Sequence, residues 1–239
     1  MLIPHAFYYS IRGPRIDERP PDVGPNNSWW DEYKPFADAT SRLSWLNTDS
    51  THICELAILG LNDHLSWRAA KVCFEHQIDF NYLEARHLWE DAEVTDSGIH
   101  IAGMHYKALI VEMEVPEQAR PALQTLEQAG LIIRWQVGQD ESDLLKAVRN
   151  LVTMDVEISP LHKSVRIRHV KKAGLDCYLC FNEGEEDITA KVHFAAVGDY
   201  HLLDNVSEES KRIEKETPLS LPAHHMQVVV VGDPALLKS

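Results

Sequence analysis

The sequence predicts a mixed α/β fold: a parallel-sheet domain followed by an all-β sandwich. In the middle of the chain, apolar runs alternate with helical periodicity, a pattern typical of βαβ units. Beyond Pro160 the apolar period changes to two, as in the strands of a sandwich. Before residue 30, five prolines between Pro4 and Pro25 exclude a helix and interrupt any strand ladder. Three segments result, an irregular arm (1–30), an α/β domain (31–159) and a sandwich (160–239).

The first regular element is a predicted helix over 31–46. Tyr33, Phe36, Leu43 and Leu46 recur near the helical period of 3.6 residues. Pro35 falls in the first turn, where a missing N–H is tolerated. The irregular arm therefore ends at Trp29 and Trp30.

The α/β domain is predicted from apolar runs and from cap residues. The run from Ile53 to Gly60 is nearly continuous, which is typical of a strand covered on both faces. Gly130 is suited to end one helix, and Asp140 or Ser142 to begin the next. The predicted strands are 53–60, 79–83, 106–112 and 131–135, the predicted helices are 66–77, 85–91, 116–129 and 141–151, and a small hairpin is predicted at 93–102.

The sandwich is predicted from short alternating segments separated by turns. Val165 to Val170 and Ile188 to Phe194 both alternate apolar and polar residues. Further strands are predicted at 175–181, 200–203, 219–221 and 226–231.

The charge balance excludes several classes of partner. The 239 residues carry 23 Lys and Arg against 37 Asp and Glu, a net charge of −14. Phosphate backbones are bound by clustered cations, so no nucleic-acid partner is expected. No apolar stretch reaches the length of a membrane span, and the first residues lack the pattern of a secretory signal. With four scattered cysteines, the predicted location is the cytoplasm.

The sequence contains no metal-site motif and no catalytic motif. Cys177-x-x-Cys180 has no second pair, and residues three apart on a strand point to opposite faces. The thirteen histidines form no H-E-x-x-H motif, although His87 and Asp91 are one helical turn apart. No nucleophile elbow, phosphate loop or dinucleotide fingerprint is present. We therefore expect no metal, no cofactor and no catalytic residue in this chain.

Two groups of residues remain as candidate sites. The arm concentrates aromatic and basic side chains, which predicts either docking onto the neighbouring domain or a sugar-stacking surface. The carbohydrate-binding candidates are His5, Tyr8, Tyr9, Arg12, Trp29 and Trp30. Open α/β sheets bind ligands at the carboxyl ends of their strands, which gives a second group. The strand-end crevice candidates are Asn62, Asp63, His64, Glu112 and Glu114.

The central block, from Asp79-Phe80-Asn81-Tyr82-Leu83 to Tyr106-Lys107-Ala108-Leu109-Ile110-Val111, resembles a known domain. It is similar to the flavodoxin-like, glutamine-amidotransferase-like domain that follows the (β/α)8 barrel in family 42 β-galactosidases and rhamnosidase-like proteins. Residues 4–10 resemble the last barrel strand and its loop, and residues 165–231 resemble the C-terminal β-sandwich of these enzymes.

This resemblance implies a non-catalytic role. In barrel glycosidases the catalytic carboxylates lie on barrel strands, which would precede Met1. The chain is then expected to brace or oligomerise a catalytic barrel, supplied in cis or by a partner chain, and to form a homo-oligomer itself. Two alternatives remain open. One is a carbohydrate-binding module that uses the arm or a sandwich face, and the other is an independent small-molecule hydrolase at the strand ends.

Overall fold

The computed structural model describes residue 13, residues 24–25 and the ranges 28–136, 138–204 and 209–233. The described helices are α1 (Tyr33–Asn47), α2 (Trp67–Glu75), α3 (His87–Glu90), α4 (Arg120–Gln128) and α5 (Glu141–Leu151), with 3-10 turns at Trp30–Glu32 and Glu117–Ala119. The predicted helix at 85–91 thus shrinks to a single turn. The carbohydrate-binding candidates His5, Tyr8, Tyr9 and Arg12 lie outside the described residues.

Four strands form a parallel sheet in the order β3-β2-β7-β8. They are β2 (Leu56–Gly60), β3 (Asn81–Glu84), β7 (Ala108–Val111) and β8 (Ile132–Arg134). Every residue of β2 and β7 is buried, as their unbroken apolar sequences predict. The parallel sheet predicted from the alternating pattern is confirmed.

Both faces of this sheet are covered. One face packs against α2 and α5, where Ile58 and Ile110 meet Val72 and Val148. The other face packs against α4 and a small antiparallel sheet through Leu59 and its neighbours. The small sheet consists of β4 (Glu93–Thr95), β5 (Gly98–Ile101) and β6 (Met104–Tyr106).

The antiparallel strands form two sheets around a second core. One sheet has the order β1-β10-β11-β16-β13-β14 and the other β15-β12-β9. The first comprises β1 (Thr51–His52), β10 (Val165–Lys172), β11 (Leu175–Asn182), β13 (Tyr200–Asp204), β14 (Ser210–Ile213) and β16 (Met226–Val231). The second comprises β9 (Val156–Ser159), β12 (Ile188–Phe194) and β15 (Leu219–Leu221).

The central strands of the larger sheet are buried on both faces. Cys180 points into the core shared with the smaller sheet, whereas Cys177 lies on the opposite face with Leu46 of α1. The expectation that these two cysteines face opposite ways is confirmed. The domain boundary at residue 160 stays a prediction. Strand β9 lies before this boundary in the sequence, although it pairs with β12, which lies after it.

We expect Val229→Ala to lower the free energy of unfolding by about 2 kcal/mol, because Val229 is fully buried between the two antiparallel sheets. Urea unfolding measures the change. The control is Val197→Ala at a position 91% exposed, where a change within about 0.5 kcal/mol is expected. Equal losses at both positions would contradict this packing.

Candidate functional site

The turn after β2 forms the carboxyl edge of the parallel sheet. The N–H of Leu61 donates to the carbonyl of His64 at 2.7 Å, which closes the turn. The hydroxyl of Ser66 donates to the carbonyl of Leu59 at 2.8 Å and ties the start of α2 to the strand. Asn62, Asp63 and His64 are exposed in this turn, at the edge where the sequence places them.

Glu112 follows β7 and reaches the same edge. Its Oε1 accepts the N–H of Ala69 at 2.5 Å, so the carboxylate lies at the first turn of α2. Burial raises the pKa of Glu112, while this hydrogen bond and the nearby charges of Arg68 and His64 act in the opposite direction. The carboxylate satisfies a free N–H of the helix start and complements the helix dipole.

The predicted crevice residues are therefore only partly brought together. His64 is close enough to Glu112 for its charge to lower the pKa of that carboxyl group. The pKa of Tyr82 is raised mainly by burial and further by the charge of Glu112. Glu114 is exposed in the next loop. The carboxylate best placed for chemistry is already bound to the backbone of α2.

Of the arm candidates, Trp29 and Trp30 are described. The ring of Trp30 stacks on Tyr33 with centroids 5.3 Å apart and planes inclined by 10°. Trp29 lies 6.5 Å from the same ring in a tilted arrangement. Both rings thus lie beside the first residue of α1, three or four positions further along the chain, and Trp29 keeps an exposed surface. The choice between docking of the arm and a sugar-stacking surface stays a prediction.

A polar network at the amino edge of the parallel sheet was missed by sequence reasoning. His52 Nε2 contacts Asp79 Oδ2 at 2.6 Å, and His52 Nδ1 contacts Asn81 Oδ1 at 3.1 Å. The amide of Asn81 donates to Tyr106 Oη at 3.0 Å and to Cys54 Sγ at 3.4 Å. These residues are spread over some fifty positions, so no spacing in the sequence could have indicated them.

This network brings a thiol, an imidazole and an amide close together, but the thiol is not an activated nucleophile. Burial raises the pKa of Cys54 to about 12, and the charge of Asp79 adds to the effect. A reactive cysteine needs a lowered pKa, because the thiolate is the attacking species. Cys54 therefore acts as a weak acceptor within a structural network.

A second network that the sequence did not indicate surrounds His169 of β10, a strand of the larger antiparallel sheet. The ring is 4% exposed and contacts Asp155 at 2.9 Å and Asp176 at 2.8 Å, one carboxylate on each nitrogen. Tyr178 stacks on the ring at 4.0 Å. Its hydroxyl donates to Asp155 at 3.2 Å and accepts the N–H of Ala196 at 3.1 Å. Through Asp155, the residue just before β9, these hydrogen bonds attach the start of β9 to the larger sheet.

Within the ranges that the structure describes, no three His, Cys, Asp or Glu side chains are arranged to hold a metal ion. The predicted pair of His87 and Asp91 does form, with Nδ1 and Oδ2 2.7 Å apart. Among the described residues, no helix is long and apolar enough to cross a membrane.

Comparison with known proteins identifies the fold. No protein-family model matches the sequence, and no curated protein sequence matches it. A rhamnosidase from Novosphingobium sp. PP1Y superposes with a TM-score of 0.66 at 14% identity, over 95% of this chain and 26% of that one. The GH42 β-galactosidase Gan42B from G. stearothermophilus gives 0.59 at 11% identity, over 88% and 45%.

A β-galactosidase from Rahnella sp. R3 gives a TM-score of 0.55 at 11% identity, over 86% of this chain and 44% of that one. The chain thus spans about a quarter of the rhamnosidase and less than half of either β-galactosidase. At these identities the likeness concerns the fold alone. Over most of its length the chain shares its fold with part of the rhamnosidase and part of each β-galactosidase.

We expect the stability of Glu112→Gln relative to the parent to depend on pH. Since burial raises the pKa of Glu112 above the ordinary 4.5, the folded state binds this proton more tightly than the unfolded chain does. The parent therefore loses stability as pH rises from 4.5 through the raised pKa. A glutamine keeps an oxygen for the N–H of Ala69 and does not ionise, so the difference should grow in favour of the variant.

Chemical denaturation between pH 4 and pH 8 measures this difference at each pH. Glu114→Gln removes one negative charge from the same edge at an exposed position and is the control. A Glu112→Gln variant whose relative stability falls as pH rises would contradict the described environment of the carboxylate.

Proposed function

We propose that this chain is a non-catalytic accessory region of a glycoside-hydrolase-like protein, which braces or oligomerises a catalytic barrel. The barrel is supplied in cis or by a partner chain. One observation carries the proposal: the likeness to the rhamnosidase covers 95% of this chain but only 26% of that enzyme. The cytoplasmic location expected from the composition is part of the same proposal.

The parallel-sheet region is, in this proposal, the glutamine-amidotransferase-like, flavodoxin-like domain. Two observations support this assignment. The four strands are all parallel, and helices pack on both faces of the sheet, α2 and α5 on one face and α4 on the other. The position after β7 holds Glu112, and this carboxylate caps a helix. The residue at the end of β7 thus holds a helix in place, which is a structural role and is consistent with a domain that braces a catalytic barrel.

An exposed aromatic surface supports the contact with a partner. It consists of Trp67 and Phe74, which lie seven residues apart on α2, and Tyr82 of the edge strand β3. Phe80 joins the last two, 4.8 Å from Phe74 and 5.4 Å from Tyr82. Trp67 lies two helical turns from Phe74 on the same side of α2. Large exposed apolar side chains grouped in this way mark interaction sites on soluble proteins. This aromatic surface is our candidate for the bracing or oligomerising contact.

The alternative of an independent hydrolase at the strand ends receives less support. Acid–base chemistry needs a carboxyl group within reach of a substrate proton. The Oε1 of Glu112 is turned towards Ala69 in the first turn of α2. A substrate at this edge would compete with the cap that holds α2 against the sheet.

We expect the chain alone to release no nitrophenol from a panel of aryl β-galactosides and α-rhamnosides above the buffer blank. The physical reason is that the proposal places the catalytic carboxylates on a barrel outside this chain. Absorbance assays with a known β-galactosidase as positive control measure this. Turnover that is abolished by Glu112→Gln, in a variant that still folds, would refute the accessory role.

We expect the purified chain to form a homo-oligomer, with a mass by light scattering that is a multiple of 27.2 kDa. Trp67 is 56% exposed on the aromatic surface, so Trp67→Glu should shift the mass towards one chain by placing a charge in the contact. Val197→Glu, at an exposed position in the antiparallel region, is the control. A monomer at every concentration would contradict the oligomerising role.

A further inference from the structure

A groove lies where the parallel-sheet region meets the smaller antiparallel sheet. It encloses about 320 Å³ between the carboxyl-terminal ends of α2 and α5 on one side and strands β9 and β12 on the other. We call it the junction groove, and its polar lining includes Gln77, Arg149, Glu157, Lys191, His193 and Glu216. Small-molecule sites commonly lie at such junctions, with volumes of about 300–1,000 Å³.

Gln77 lies in the wall of the groove and links α2 to the antiparallel region. The side chain is 5% exposed, and its Nε2 donates to the carbonyls of His162 at 3.0 Å and Val165 at 2.9 Å. These bonds fix the orientation of the amide. The buried Oε1 receives no hydrogen bond from the described residues. This oxygen is closed off from solvent, so Gln77 shapes the wall of the groove, and a ligand would bind to the exposed lining residues.

The groove is lined by equal numbers of Lys or Arg and Glu side chains. Arg149 and Lys191 are cations, and Glu157 and Glu216 are carboxylates. In the strand register Lys191 lies opposite Ser159 and His193 lies opposite Glu157, so donors and acceptors lie side by side on this wall. A ligand with net charge gains no overall attraction here, whereas a neutral ligand with many hydroxyls can use both kinds of partner.

Two further features bear on the ligand. Burial lowers the pKa of His76, and the charges of Lys163 and Arg149 lower it further, which favours a neutral imidazole that can donate and accept. Met154, Ile158 and Leu161 supply apolar lining. A sugar ring presents hydroxyls at its edge and C–H groups on its face, which matches this combination.

We propose that the junction groove binds a single neutral saccharide unit. The choice of a saccharide rests on the proposed function, because a part of a glycoside-hydrolase-like protein operates where sugars are present. The volume, at the lower end of the usual range, suits one ring. The exposed side chains of Lys191 and Glu157 hold its hydroxyls, and the apolar lining contacts its C–H face.

Saturation-transfer NMR on the full chain with galactose, rhamnose and glucuronate tests this proposal. We expect saturable transfer to a neutral sugar, and weaker transfer to glucuronate. Lys191→Ala and Glu157→Gln should each weaken binding about tenfold, equivalent to about 1.4 kcal/mol. Both residues are exposed, so the variants are expected to fold, which circular dichroism checks. Lys211→Ala, on the exposed strand β14, is the matched control and should bind as the parent does.

Several outcomes would overturn the proposal. They are no saturable transfer from any of the sugars, equal binding by the parent and both groove variants, or tighter binding of glucuronate than of the neutral sugars. These results are separate from the test of the proposed function. A chain that binds galactose in the groove and also hydrolyses aryl glycosides refutes only the accessory role, whereas an inactive oligomer that binds no sugar refutes only the groove.

Discussion

Complete burial of two adjacent parallel strands is the constraint on which the rest of the structure depends. Strands β2 and β7 place apolar side chains on both faces of the sheet, so each face needs a covering layer. Helices α2 and α5 cover one face, and α4 with the small sheet covers the other. The same packing brings the start of α2 beside the end of β7, which is why Glu112 meets the backbone of Ala69.

The junction between the two regions depends on the end of α2. Gln77 adopts a positive φ of 53°, a conformation that usually favours glycine at the end of a helix. Its amide bonds to the carbonyls of His162 and Val165 across the junction, which a glycine could not do. Lys163 adds an ion pair with Glu75 at 2.7 Å. A strained backbone position is thus combined with contacts that hold two layers together.

Residue types associated with catalysis are used here to hold the structure together. Glu112 caps a helix, Cys54 is a protonated thiol in a polar network, and His169 is held between two carboxylates. Each group is partly or fully buried and satisfied by neighbouring protein atoms. The residue type alone therefore indicates little about activity, and the partner of each polar atom indicates much more.

The sequence by itself determined the sheet types and which faces are buried. The apolar runs of β2 and β7 and the alternation of β12 report burial directly, because side chains repeat every two residues along a strand. The same rule placed Cys177 and Cys180 on opposite faces. Strands β1, β9 and β14 were not predicted and were found only in the structure, where each is defined by its pairing with another strand.

Only the tertiary structure decided which polar groups meet. His52 and Asp79 are 27 residues apart, and the junction groove joins residues from His76 to Glu216. Periodicity indicates that a face is buried but not which element buries it, since any apolar partner satisfies the pattern. The sequence predicted that Glu112 follows a buried strand, but only the fold could show that its carboxylate caps α2.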